Sequence, residues 1–183
     1  KNTDVQMSLA TFYFLGKDFD EARKKVDGIL ADHPEHIDAL YLLSGLEMEA
    51  KNYSEAQNAF KRVIEADPQQ IRAYLGLARI LSAEGDDEAA GDVLERAVQV
   101  DPEAVEPRLA FAGFYEKNQK YEAAEAEIMR AIEMNPDNTD LYVSLANYFL
   151  RRDEPEKGED AFIKAIETDP ENIDLYLRLG SFY

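Results

Sequence analysis

Apolar residues recur along this chain at helical spacing, in pairs of segments separated by short polar stretches. Between residues 37 and 50 the apolar positions are Ile37, Leu40, Leu43 and Leu46. After the polar stretch AKNYS, a second face of the same kind contains Ala56, Phe60, Val63 and Ile64. The second segment ends at EADP, where proline cannot continue a helix. The pattern predicts a helix, a tight turn and a second helix.

The same pattern repeats every 34 residues. Five prolines follow this interval: Pro34, Pro68, Pro102, Pro136 and Pro170. One aligned column is large and apolar: Leu9, Leu43, Leu77, Phe111, Leu145 and Leu179. The next column is small throughout: Ala10, Ser44, Ala78, Ala112, Ala146 and Gly180. A fixed period of this length is typical of stacked repeats, and small residues allow two helices to approach closely.

These columns resemble the tetratricopeptide repeat, a 34-residue helix–turn–helix with the pattern W-x₂-L-G-x₂-Y…A-x₃-F…P. In the second unit the matching residues are Leu40, Leu43, Ser44, Ala56, Phe60 and Pro68. In the fifth unit they are Tyr142, Leu145, Ala146, Phe149, Gly158, Phe162 and Pro170. The resemblance implies an all-α fold, a right-handed superhelical α–α solenoid.

The period divides the chain into one continuous array of five repeats and part of a sixth. The predicted repeats are 3–36, 37–70, 71–104, 105–138, 139–172 and the incomplete 173–183. Residues 173–183 align with a first helix, through Tyr176, Leu179, Gly180 and Tyr183, and no second helix follows. We therefore expect the chain to be a fragment of a longer array.

Charge and composition exclude several classes of function. The chain has 38 acidic and 20 basic residues, for a net charge of −18. Such a balance disfavours nucleic-acid binding, which depends on cations that neutralise phosphates, and it disfavours anionic membranes. No apolar segment is long enough to insert in a membrane, and the absence of cysteine removes disulfides and thiolate chemistry. The sequence leaves the compartment open, with the bacterial cytoplasm or periplasm as our expectation.

The sequence offers little catalytic chemistry. His33 and His36 are the only histidines, and they lie in a predicted turn with Asp32 and Glu35. Two imidazoles and a carboxylate can bind a metal, but no third ligand of fixed geometry is evident, so we favour a solvated turn. No glycine-rich phosphate loop or nucleophile motif is present. We expect a protein that is not an enzyme and needs no cofactor or metal.

The resemblance implies that a protein or peptide partner binds a concave groove lined by the first helices. Helix geometry places the groove beside the core stripe. One groove column contains Met7, Tyr41, Leu75, Leu109 and Val143, although part of it could be core. The other groove candidates are Thr11, Phe14, Gly45, Met48, Arg79, Gly113, Asn147 and Leu150. Together these positions predict a largely apolar groove floor opened by two glycines, Gly45 and Gly113. The net charge of −18 favours an amphipathic ligand of neutral or positive charge.

Arg72 departs from an otherwise acidic column at the start of the first helices. Its counterparts are Asp4, Asp38, Glu106, Asp140 and Asp174. Together with Arg79 it could receive a carboxylate or phosphate of the partner. The alternative is an ion pair between repeats, from Arg72 to Asp38 or Glu106.

The sequence thus favours a non-catalytic scaffold that binds a partner peptide or helix in its groove. Two alternatives stay open. The array could multimerise through its terminal repeats, with residues 173–183 docking on residues 3–14 of a second copy. It could also be the targeting arm of a larger enzyme or of a bacterial envelope or secretion assembly.

Overall fold

The computed structural model describes residues 2–180, and these form eleven α-helices without a β-strand. The helices are α1 Thr3–Leu15, α2 Phe19–Asp32, α3 Ile37–Glu49, α4 Tyr53–Ala66, α5 Ile71–Glu84, α6 Asp87–Val100, α7 Val105–Lys117, α8 Tyr121–Met134, α9 Thr139–Arg151, α10 Pro155–Thr168 and α11 Ile173–Gly180. Each predicted repeat from 3–36 to 139–172 contains two of them. Residues 181–183 of the predicted sixth repeat lie outside the described residues.

Contacts group the chain into two compact units. Unit 1 spans residues 1–101 and contains α1 to α6, and unit 2 spans residues 102–183 and contains α7 to α11. Within each unit the first helix of a repeat packs on the second helix of the same repeat, and that second helix packs on the next first helix. The predicted all-α architecture of stacked helical hairpins is confirmed.

The small column lies where helices pack closely. Ala10 and Ala146 are fully buried, and Ser44, Ala78 and Ala112 are almost so. In unit 1 a core cluster forms around Ala10, Ala22, Val26, Ile29, Ala39 and Leu46. Unit 2 has a corresponding cluster around α7 to α10 that includes three large aromatic residues, Tyr148, Phe149 and Phe162. A larger side chain in the small column would separate the helices that carry these clusters.

The turn inside each repeat uses a left-handed residue. Backbone φ is positive at Lys17, Lys51, Gly85, Gln119 and Asp153, which are 34 residues apart. Only one of these five is a glycine, the residue that adopts this conformation without a Cβ penalty. The sequence pattern did not indicate these positions, because three of the other residues are lysine or glutamine.

The turn between repeats is tied by a hydrogen bond to the carbonyl oxygen of its proline. The Tyr74 hydroxyl donates to Pro68 O at 3.2 Å, and Tyr142 and Tyr176 donate to the equivalent prolines in unit 2. Arg108 donates to Pro102 O instead, through Nε at 3.2 Å and an η nitrogen at 2.8 Å. In the second repeat the equivalent residue is Leu40, which has no side-chain donor. There Arg62 from α4 donates to Pro34 O at 2.7 Å. Different side chains therefore satisfy the same backbone group in successive turns.

Each unit also buries one glutamate. In unit 1, Glu47 of α3 accepts from Arg23 of α2 at 2.6 Å and from the side chain of Asn52 at 2.9 Å. Burial acts to raise the pKa of Glu47, but the hydrogen bonds from Arg23 and Asn52 outweigh it and hold the pKa below its ordinary value. Glu47 occupies the aromatic position of the repeat pattern, so an ion pair replaces an aromatic contact there.

In unit 2 the buried glutamate is Glu127 of α8. Arg108 of α7 donates to it at 3.1 Å, and Arg130 is also paired with it. The side chains of Arg108 and Glu127 are only 12% and 6% exposed. The same positions hold Tyr74 and Val93 in the third repeat, and Tyr142 and Ala161 in the fifth. A buried ion pair thus stands where neighbouring repeats have an aromatic and a small apolar residue.

Candidate partner-binding faces

The predicted groove column in unit 1 lies on α1, α3 and α5. Met7, Tyr41 and Leu75 are all half-buried, and Met7 packs against the core cluster of unit 1. These side chains are therefore partly packed and partly exposed, and their contact with a ligand stays a prediction. Thr11 is exposed, with its hydroxyl bonded to the Met7 carbonyl oxygen.

Tyr41 is held in a fixed orientation. Its hydroxyl donates to Gln70 Oε1 at 3.3 Å, and its ring meets the edge of Phe60 with 6.3 Å between centroids. Gln70 in turn donates to Asp67 at 2.8 Å. Burial raises the pKa of the Tyr41 hydroxyl. Tyr41 is therefore a preorganised platform in the middle of this face.

Arg72 lies over that platform. Its guanidinium carbon is 5.3 Å from the centroid of the Tyr41 ring, a cation–π arrangement. It makes no ion pair with Asp38, and an ion pair with Glu106, which would join the two units, stays a prediction. Arg79 is exposed on the same helix, and its side chain has no hydrogen bond, ion pair or ring contact among the described residues.

Phe14 and Gly45 belong to one contact. A Cβ at Gly45 would lie 3.2 Å from the Phe14 ring, and that ring also packs against Phe19 with 5.7 Å between centroids. Gly45 thus makes room for Phe14 rather than for solvent. Met48, from the next groove position on α3, is half-buried.

The corresponding face of unit 2 lies on α7 and α9. Leu109 and Val143 are half-buried and pack against the unit 2 core, and Asn147 is half-buried. Leu150 is 38% exposed. Gly113 is exposed, and a Cβ there would meet nothing within 4 Å. Of the two groove glycines, Gly113 is the one that leaves open space.

An ion pair on this side of unit 2 was not among the predicted site residues. Arg151 of α9 binds Glu116 of α7 through two parallel hydrogen bonds of 2.7 and 2.8 Å. The hydrogen bond from Arg151 lowers the pKa of Glu116. The available signal was the opposite charge of two residues 35 positions apart, at neighbouring positions of successive first helices. The guanidinium of Arg151 is therefore already bound to a carboxylate within unit 2.

A family model for the tetratricopeptide repeat matches residues 13–80, 47–97 and 83–148. The chain belongs to the tetratricopeptide repeat family. No curated protein matches it.

Solved tetratricopeptide repeat structures share the fold at low sequence identity. TTC0263, a thermophilic protein of Thermus thermophilus, is 21% identical, with 98% of each chain covered and a TM-score of 0.67. MamA is 19% identical, with 94% of each chain covered and a TM-score of 0.70. YrrB, described as having an unusual peptide-binding site, is 19% identical over 96% of this chain and 90% of its own, with a TM-score of 0.62.

The histidine turn of this tetratricopeptide repeat chain borders an open cleft of about 600 Å³ between Thr3, Asp4 and residues 32–36. His36 Nδ1 accepts from the Ala39 amide at 3.4 Å, so this side chain caps α3. Within residues 2–180 no group of three or more His, Cys, Asp or Glu side chains is arranged to hold a metal ion. None of the described helices is both long and apolar enough to cross a membrane.

Proposed function

We propose that this chain is an interaction scaffold that binds a peptide or helix of a partner protein along the first helices of unit 1. The observation that carries the proposal is the half-buried column of Met7, Tyr41 and Leu75, with the exposed Thr11 and Arg79 beside it. Half-buried apolar side chains offer anchor sites, and exposed polar neighbours offer hydrogen bonds around them.

Rigidity supports this proposal. Tyr41 is fixed by Gln70 and Phe60 before any ligand arrives. A preorganised face loses little conformational entropy on binding, which favours affinity for a short ligand. The net charge of −18 favours an amphipathic ligand of neutral or positive net charge. The peptide-binding site ascribed to YrrB is in keeping with this assignment.

A selection from a random peptide display library tests the proposal. The wild-type chain should enrich peptides with apolar anchors, and Leu75→Glu should bind them at least about tenfold more weakly because it places a charge in the anchor column. Thr11→Glu, at an exposed position of the same face, provides a second variant that leaves packing intact.

The matched control is Tyr53→Glu, which changes a residue that is 40% exposed at the start of α4. It should bind the selected peptides as the wild type does. Circular dichroism establishes that each variant is folded. If Leu75→Glu and Thr11→Glu both bind the selected peptides as tightly as the wild type does, or if no peptide is enriched, the groove assignment is contradicted.

Self-association is a second candidate, supported by exposed apolar side chains on the first and last described helices. Phe12 and Leu15 of α1 are 69% and 75% exposed, and Ile173 and Leu177 of α11 are 72% and 67% exposed. Burying such side chains against a second copy would be favourable. Light scattering over a range of concentrations should then show dimers or larger species that Phe12→Glu removes. A monomer at every concentration rules this candidate out.

A further inference from the structure

We propose that Arg72 and Arg79 form a carboxylate-recognition site, so that the peptide bound by unit 1 carries acidic side chains among its apolar anchors. This inference rests on the function proposed above and specifies its ligand. A guanidinium presents several N–H donors in a planar fork that matches a carboxylate.

The charge at residue 72 is reversed relative to its column. Acidic residues at the start of a helix are stabilised by the helix dipole, and the other first helices with a charge here follow that rule. Among the first helices, α5 is the one without this stabilisation, because it has Arg72 at this position. The structure offers no ion pair with Asp38 in return, since the guanidinium lies over the Tyr41 ring.

The Tyr41 ring orients Arg72 without using its hydrogen-bond donors. Its guanidinium carbon lies 5.3 Å from the ring centroid, and Arg72 makes no hydrogen bond or ion pair among the described residues, so its N–H groups stay available to an acceptor. Because Tyr41 is itself anchored to Gln70 and Phe60, the donors of Arg72 are held in place before a ligand binds.

Arg79 extends the site along α5. It lies seven residues, or about two helical turns, beyond Arg72, which corresponds to about 10 Å along the helix axis. Two carboxylates at that separation, on one face of the ligand, occur three residues apart in a polyproline II peptide or seven residues apart in a helix. The site therefore fits a ligand with one of these two acidic spacings.

The acidic residues around Tyr41 make the site selective for a peptide over a free anion. Asp67 is linked to the Tyr41 hydroxyl through Gln70, and Asp38, Asp67 and Arg72 all act electrostatically on that hydroxyl. A small carboxylate such as acetate is repelled by the two aspartates and gains no apolar contact. A peptide gains burial at the Met7, Tyr41 and Leu75 column, and its acidic side chains then select the arginines.

The experiment compares peptides selected by the wild-type chain with those selected by Arg72→Gln/Arg79→Gln. The wild-type selection should be enriched in Asp or Glu at spacings of three or seven, and the double variant should lose that enrichment. Arg96→Gln is the matched control. The guanidinium carbon of Arg96 lies 5.2 Å from the centroid of the Tyr74 ring in the same unit, but Arg96 belongs to the second helix α6.

Affinities of one enriched peptide and its Glu→Gln version sharpen the result. Fluorescence anisotropy should show a loss of roughly five- to tenfold for Arg72→Gln, and no loss for Arg96→Gln. The peptide in which Gln replaces Glu should already bind the wild-type chain weakly. Its affinity should not fall further with Arg72→Gln, as expected for a coupled pair.

The outcomes separate this inference from the proposed function. Enriched peptides without acidic residues, or with affinities that Arg72→Gln and Arg79→Gln leave unchanged, overturn the carboxylate site and leave groove binding standing. The absence of any enriched peptide overturns both.

Discussion

The two units carry the same net charge and use it differently. Residues 1–101 contain 11 basic and 20 acidic residues, and residues 102–183 contain 9 and 18, so each unit has a net charge of −9. In unit 2, Arg108, Arg130, Arg151 and Arg152 each pair with a carboxylate. In unit 1, Arg23 pairs with Glu47, but Arg72 and Arg96 lie over tyrosine rings and Arg79 has no partner among the described residues.

This difference shows that net charge does not determine which charges are available to a ligand. Arg151 is held by Glu116 within its own unit, so a ligand carboxylate would have to displace that pair. Arg72 has no such competitor bound to it. The arrangement of pairs, rather than the composition, separates a cation that stabilises the fold from one that can bind a partner.

The largest expected effect tests the buried pair of unit 2. Glu127→Ala leaves Arg108 buried without its carboxylate and should lower the free energy of unfolding by about 3–5 kcal/mol. Arg108→Tyr/Glu127→Ala recreates the Tyr142 and Ala161 combination of the fifth repeat and should recover most of that loss. Urea denaturation followed by circular dichroism measures both variants. A double variant less stable than Glu127→Ala would show that the repeats are not interchangeable at these positions.

Two helix glycines, one in each unit, should respond in opposite directions. A Cβ at Gly76 would overlap the ring of Phe60, so Gly76→Ala should lower the free energy of unfolding by about 1–3 kcal/mol. Gly113 has open space around it, so Gly113→Ala should raise that free energy by about 0.5–1 kcal/mol through helix propensity. Thermal melts of the two variants make the comparison, and a stabilised Gly76→Ala variant would contradict the packing of Phe60.

The buried glutamate of unit 1 predicts a pH dependence. The folded-state pKa of Glu47 lies below its ordinary value, so its stabilising effect is present above the unfolded pKa and is lost as pH falls through the folded pKa. Glu47→Gln should therefore cost about 1–2 kcal/mol at pH 7 and progressively less below about pH 4. Urea denaturation of the wild type and the variant at several pH values measures the difference. A cost independent of pH would show that the ion pair with Arg23 contributes nothing.

The smallest effects are expected at the left-handed turn residues. Lys51→Gly in unit 1 and Gln119→Gly in unit 2 remove a Cβ from a left-handed backbone and should each add about 0.5–1 kcal/mol to the free energy of unfolding. Asp153→Gly should add less, because aspartate tolerates this conformation better than lysine or glutamine. Denaturation curves of the three variants rank them, and equal gains would contradict the role of side-chain type.

The 34-residue period predicted the helices and the small core column because both depend on patterns that recur in every repeat. The residues that the pattern missed are those that break it. Arg108 and Glu127 looked like surface charges, although both lie in the fourth repeat at positions that are otherwise mostly apolar or aromatic. Two departures of opposite charge in one repeat were the available signal. The packing of the Phe14 ring against Gly45 could not be predicted. The two residues belong to different repeats, and their contact depends on a rotamer that a sequence does not show.

The hydrogen bonds to the turn prolines define where this array can be cut and rejoined. Each proline carbonyl is satisfied by a side chain from the helix pair that follows it, as with Tyr74 for Pro68 or Arg62 for Pro34. A recombination crossover placed just before Asp67 therefore transfers the acceptor and its donor together, whereas a crossover at Ile71 separates them. The portable module of this chain begins at the turn, four residues ahead of the helix.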